Sequence, residues 1–74
     1  MRIMFINNHG GGFADFIDVE GDTTVAKLFF QKIPGGRPED FVVRVNREPA
    51  SRDQALREGD RVTITPTKIE GAAV

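Results

Sequence analysis

The chain has 74 residues, no cysteine, and 10 basic against 11 acidic side chains, for a net charge of −1. That length holds one domain near the lower limit for a core without staples, and the missing thiols exclude disulfides and thiolate metal sites. The balanced charge excludes a protein whose main work is gripping a phosphate backbone, so no nucleic-acid partner is expected.

Near the start, Ile3-Met4-Phe5-Ile6 is an apolar run that predicts a buried strand. Four apolar residues are too few for a signal-peptide core or a membrane span. The expectation is therefore a soluble, cytoplasmic protein with no membrane partner. Asn7-Asn8-His9-Gly10-Gly11-Gly12 is a dense turn signal, since Asn and Gly both tolerate positive φ. Residues 13–19 then alternate, with Phe13, Asp15, Ile17 and Val19 on one side and Ala14, Phe16 and Asp18 on the other. Two strands about a Gly-rich turn make a β-hairpin.

After the break at Glu20-Gly21-Asp22, Thr23 or Thr24 can cap a helix through its hydroxyl. No Glu or Gln follows three residues later, so a full capping box is absent. Val25, Leu28, Phe29 and Ile33 recur at helical spacing and face one core. Pro34-Gly35-Gly36 stops the helix. About ten helical residues are unstable alone, so this helix must pack on the sheet.

Residues 37–40 read as a linker, and Phe41-Val42-Val43-Arg44-Val45 is the strongest strand by β-propensity. Asn46-Arg47-Glu48-Pro49 turns the chain. Residues 51–58 are polar with Leu56 as the clear anchor, leaving room for a short helical turn or a brief edge strand. Gly59-Asp60 turns into the final strand, residues 61–65.

The first and last strands are short and apolar, which suits the middle of a sheet. The expected fold is α+β, a mixed four- to five-stranded sheet packed on one helix in the order β-β-α-β-(β)-β. That arrangement is the β-grasp. It is expected to occupy residues 1–66, with residues 67–74 as a flexible C-terminal tail.

The second half carries a more specific pattern. Val45-Asn46, then Leu56, Gly59, Asp60 and Val62, resembles the ubiquitin-like sulfur-carrier proteins of thiamine and molybdopterin synthesis, the ThiS/MoaD group. Their shared pattern is a strand ending in Val-Asn, a polar turn, and Leu-x-x-Gly-Asp-x-Val. The match covers about thirty residues, and the first half agrees in element order alone. Each matching position also has a plain physical reading: Leu56 plugs the core, and Gly59-Asp60 sets the register of the last strand. The motif therefore speaks to fold more than to chemistry.

The resemblance implies function through the tail. In that group a partner enzyme adenylates a terminal glycine, and sulfur transfer gives a thiocarboxylate. Glycine suits this because a tail without Cβ threads a narrow cleft. The family ends in Gly-Gly, whereas this chain reads Glu70-Gly71-Ala72-Ala73-Val74. Three readings stay open: a carrier cut after Gly71 by a protease, a binding module that kept the fold and lost the chemistry, or a plain disordered end.

Other candidates fare less well. The 7–12 loop lacks a lysine and precedes a strand pattern, so it is a hairpin turn and not a phosphate loop. His9 is the one histidine, which argues against a metal site and against triad chemistry. Arg44, Arg47, Arg52, Arg57 and Arg61 concentrate positive charge in the second half, while Asp15, Asp18, Glu20 and Asp22 concentrate acid in the first. The arginines suit an acidic partner or solvent; without Tyr or Trp beside them they suit RNA poorly.

The remaining signal is misplaced hydrophobicity. Met4, Ile6, Phe16 and Val42 have the wrong parity for the core if Ile3, Phe5, Ile17, Val43 and Val45 face the helix. Phe30 lies off the helical stripe. With Arg44, these residues are the expected partner-binding set, and the resemblance implies such a face because ubiquitin-like proteins dock through it. The competing explanations are that one of these parities is wrong, or that the residues are shielded by loops. The sequence-based expectation is a monomeric, cofactor-free, non-enzymatic module that binds a protein. An adenylating enzyme and a processing protease would be its partners under the carrier reading.

Overall fold

The computed structural model describes residues 1–9 and 12–67. Its elements are β1 (Arg2–Asn7), β2 (Phe13–Asp18), α1 (Val25–Lys32), a 3₁₀ turn (Pro38–Asp40), β3 (Phe41–Val45), β4 (Glu48–Pro49) and β5 (Arg61–Pro66). The five strands form one sheet in the order β2-β1-β5-β3-β4. β1 and β5 run parallel at its centre, and the other pairs are antiparallel. The apolar first and last strands are therefore the central neighbours, as their composition suggests.

Register carries the alternation across the sheet. Phe5 lies opposite Val62, Val62 opposite Val45, and Val43 opposite Ile64. Ile3, Phe5, Val45, Val62 and Ile64 are buried on one face, where Val25, Leu28, Phe29 and Ile33 meet them. The Thr24 hydroxyl accepts from the Lys27 N–H at 3.3 Å and caps α1. Ile33 closes the other end, its N–H reaching the Phe29 carbonyl.

Residues 51–58, where the sequence left room for a helical turn or an edge strand, form no helix or strand, only an isolated antiparallel bridge between Ala55 and Thr24. Instead they serve the helix start. The Val25 and Ala26 N–H groups, orphans of the first turn, donate to the Gln54 and Arg52 carbonyls, each at 3.0 Å. Leu56, 3% exposed, plugs the core below them. The edge strand arises earlier, at β4. Asn46 and Arg47 both take positive φ, 54° and 75°, and this tight turn returns the chain beside β3.

The Val-Asn and Gly-Asp signature closes on itself. Asn46 Nδ2 donates to Asp60 Oδ1 at 3.0 Å, and Asn46 Oδ1 accepts from the Arg61 N–H at 3.0 Å. Asp60 Oδ2 accepts from the Arg57 N–H at 2.8 Å. Gly59 sits at φ +84°, and its N–H donates to the Arg2 carbonyl. The two halves of the signature lock the β3 end to the β5 start, which is work for the fold. At the far end of β5 the Thr67 N–H donates to the Asp40 carbonyl at 2.9 Å.

The open face of the sheet as a candidate functional site

Alternation that buries one face presents the other. Opposite the helix, β2 offers Ala14, Phe16 and Asp18, and β1 offers Arg2, Met4 and Ile6. Register sets Phe16 against Met4 and Ala14 against Ile6. β5 adds Arg61, Thr63 and Thr65, with Arg61 beside Met4 and Thr63 beside Ile6. β3 adds Val42 and Arg44, placed against Thr65 and Thr63. Pro49 of β4 lies against Arg44.

The face combines apolar side chains on β2, β1 and β3 with arginines on β5 and β3. Phe16 is 57% exposed, and Met4, Ile6 and Val42 are half-buried. Shielding by loops, one competing explanation, does not hold for Phe16. Arg44 and Arg61 are exposed, and no carboxylate among the described residues pairs with either. The only acid on the face among the described strand residues, Asp18, already meets Arg2 at 3.4 Å. Thr63 and Thr65 also lie on this face, the latter accepting from Asn8 Nδ2 at 3.0 Å.

Met4, Ile6, Phe16, Val42 and Arg44 thus share one surface. Phe30 does not join them. It is 49% exposed on α1, in the other layer, with its ring edge-on to Phe29 at 5.5 Å. Being off the helical stripe places a residue away from the core, but not on the sheet. Sequence reasoning also passed over Arg61 as a member of this face. Its parity would have supplied it, because Val62 and Ile64 point inward and so Arg61 points out.

His9 stacks edge-on to Phe41 at 5.2 Å, and no group of three metal-ligating side chains occurs among the described residues. Gly71 and the rest of the expected tail from residue 68 lie outside the described residues, as do Gly10 and Gly11. No described helix is long and apolar enough to cross a membrane. On the helix side, Val25, Ala26, Phe29, Pro38, Phe41, Val43, Ala50 and Arg52 line a cleft of about 90 Å³. That is room for one apolar side chain and far below the size of an ordinary small-molecule site.

No family model and no curated protein matches the chain. Solved structures do. SAMP1 from Haloferax volcanii superposes with a TM-score of 0.73 at 20% identity, over 96% of this chain and 99% of that one. A ubiquitin-like protein from the hyperthermophilic archaeon Caldiarchaeum subterraneum gives 0.68 at 14% identity, over 93% and 99%. Caldiarchaeum subterraneum ubiquitin gives 0.69 at 15%, over 96% and 98%. The chain has the ubiquitin-like β-grasp fold. In this ubiquitin-like domain the helix occupies one side of the sheet, and the surface that holds Phe16, Met4, Ile6, Val42, Arg44 and Arg61 lies on the other.

Proposed function

We propose that the protein is a ubiquitin-like binding module that docks a protein partner on its open sheet face. The observation that supports this most is that exposed Phe16 and half-buried Met4 and Ile6 share the face with two arginines that have no acidic partner among the described residues. Interface cores favour aromatic, Met and Arg side chains, and a few anchors of this kind supply most of the affinity. The complementary surface has an apolar centre and a rim of Asp or Glu, and electrostatic complementarity sets approach and orientation. Catalysis is not part of this reading, because the face lacks a paired acid and base. The protein works as a cytoplasmic monomer in this account.

Phe16→Asp or Val42→Asp weakens capture of the cellular partner while the far-ultraviolet circular dichroism stays unchanged. Arg44→Glu together with Arg61→Glu does the same with a steeper loss at low salt. Wholesale unfolding of the Asp variants, or undiminished capture, refutes the assignment.

A second reading follows from the resemblance of residues 43–66 to the ThiS/MoaD sulfur carriers. Here a protease removes residues 72–74, and an adenylating enzyme then activates the Gly71 carboxylate for thiocarboxylate formation or protein modification. Intact mass of the protein from its native cell decides it. A species ending at Gly71 supports the carrier, and universal retention of residues 72–74 removes it.

A further inference from the structure

We propose that the outer edge of β2 is a strand-addition site for an extended, basic segment of a partner protein. β2 ends the sheet, and no described strand pairs with its outer side. The hydrogen-bonding phase of the hairpin decides which groups point outward. Val19 and Met1 exchange bonds at 2.8 and 2.7 Å, whereas the Met4 N–H turns the other way to Asp60. The alternation directs Phe13, Asp15 and Ile17 toward β1 and leaves the N–H and C=O of Ala14, Phe16 and Asp18 facing out. All three residues are exposed. The Phe16 N–H is held by a side chain, donating to Asp15 Oδ1 at 2.7 Å.

Charge selects the occupant. Residues 3–26 contain Asp15, Asp18, Glu20 and Asp22 and no Lys or Arg. Asp18 and Asp22 have cations at 3.4 and 3.6 Å, Arg2 and Lys27, while no described cation pairs with Asp15. A second copy on this edge would place Asp15 and Asp18 of both chains in one ladder, and an acidic segment would meet the same repulsion. A basic segment meets attraction. Its side chain opposite Asp15 is Lys or Arg, and the next, on the open-face side, lies against Phe16 and is apolar. Alternating basic and apolar residues is thus the required pattern. As the strand adds, the Phe16 N–H passes from the Asp15 carboxylate to a partner carbonyl, and the carboxylate is freed for the incoming cation.

This site uses the backbone and the acidic half of the molecule; it shares Phe16 with the open-face reading but does not depend on Arg44 or Arg61. The test is a nuclear magnetic resonance titration with a capped eight-residue peptide of alternating lysine and valine, and with its glutamate-valine counterpart. The lysine peptide shifts the amide resonances of Ala14, Phe16 and Asp18 and slows their hydrogen exchange. Asp15→Asn, which keeps an acceptor for Phe16 but loses the charge, weakens the lysine peptide about threefold or more, and added salt does the same. Arg44→Glu leaves it no weaker. Equal binding of the glutamate peptide, shifts confined to β3 and β5, or no shift at β2 at millimolar peptide overturns the proposal.

Discussion

Removing the Asp60 carboxylate should expose what the Val-Asn and Gly-Asp signature does. Asp60→Ala deletes the acceptor for Asn46 Nδ2 at 3.0 Å and for the Arg57 N–H at 2.8 Å. A typical hydrogen bond contributes about 1 kcal/mol net, so these two exposed ones give a loss of about 2 kcal/mol. For a domain of this size each kcal/mol moves Tm by about 4–8 °C, so Tm falls by about 8–16 °C. Asn46→Gly keeps the φ of 54° accessible while removing the same shared bond and the one from Arg61. It costs about 1–2 kcal/mol. Because one bond is common to both, the double variant loses less than the sum, by about 1 kcal/mol. Thermal unfolding followed by circular dichroism reads all three. A Tm drop below about 2 °C for Asp60→Ala, or strict additivity, would refute the structural explanation of the signature.

Three further outcomes follow from the fold. Leu56→Ala opens a cavity under residues 50–58 and costs about 2–5 kcal/mol, read as a lower urea midpoint with unchanged slope. Gly59→Ala places a Cβ at φ +84° and costs about 1–2 kcal/mol, whereas Gly21→Ala, with nothing within 4 Å, leaves the midpoint where it was. The exposed Glu39 carboxyl is held below the usual carboxylate range by its own backbone N–H first and by the Arg37 side chain next. Its folded-state pKa is thus depressed, so the stability it contributes is complete above the unfolded-state value and is lost as pH falls through the folded one. Arg37→Ala raises its titration midpoint in a side-chain nuclear magnetic resonance titration, but only in part, since the backbone contact remains.

Much of this architecture was legible because burial imposes strict periods. Parity alone separates Ile3, Phe5, Val62 and Ile64 from Met4, Ile6, Thr63 and Thr65, and the 3.6-residue stripe Val25, Leu28, Phe29, Ile33 could face only one core. The open face followed from the same parity, so Met4, Ile6, Phe16, Val42 and Arg44 come together as expected. What stayed hidden depended on contacts distant in sequence. The turn at Asn46 was legible, but Arg47 is no turn former, so its positive φ and the pairing of Glu48-Pro49 as β4 had no local signal. Residues 50–58 have no period at all, because their carbonyls answer to Val25 and Ala26 across the molecule. Phe30 was misplaced because exposure on a helix does not say which layer of the domain a residue belongs to. The Asp15 contact to the Phe16 N–H likewise emerges only once the hairpin phase is fixed.

The proposed function requires that a partner sits on the open face. Photo-crosslinking in the native cell, with a benzophenone side chain at position 16 or 42 and at positions 31 and 58 as exposed controls, reads this directly. The account predicts a discrete protein adduct from 16 and 42, absent from 31 and 58, and lost when Arg44→Glu and Arg61→Glu are introduced together. Adducts from the control positions with none from 16 or 42, or adducts indifferent to the two arginines, would contradict it.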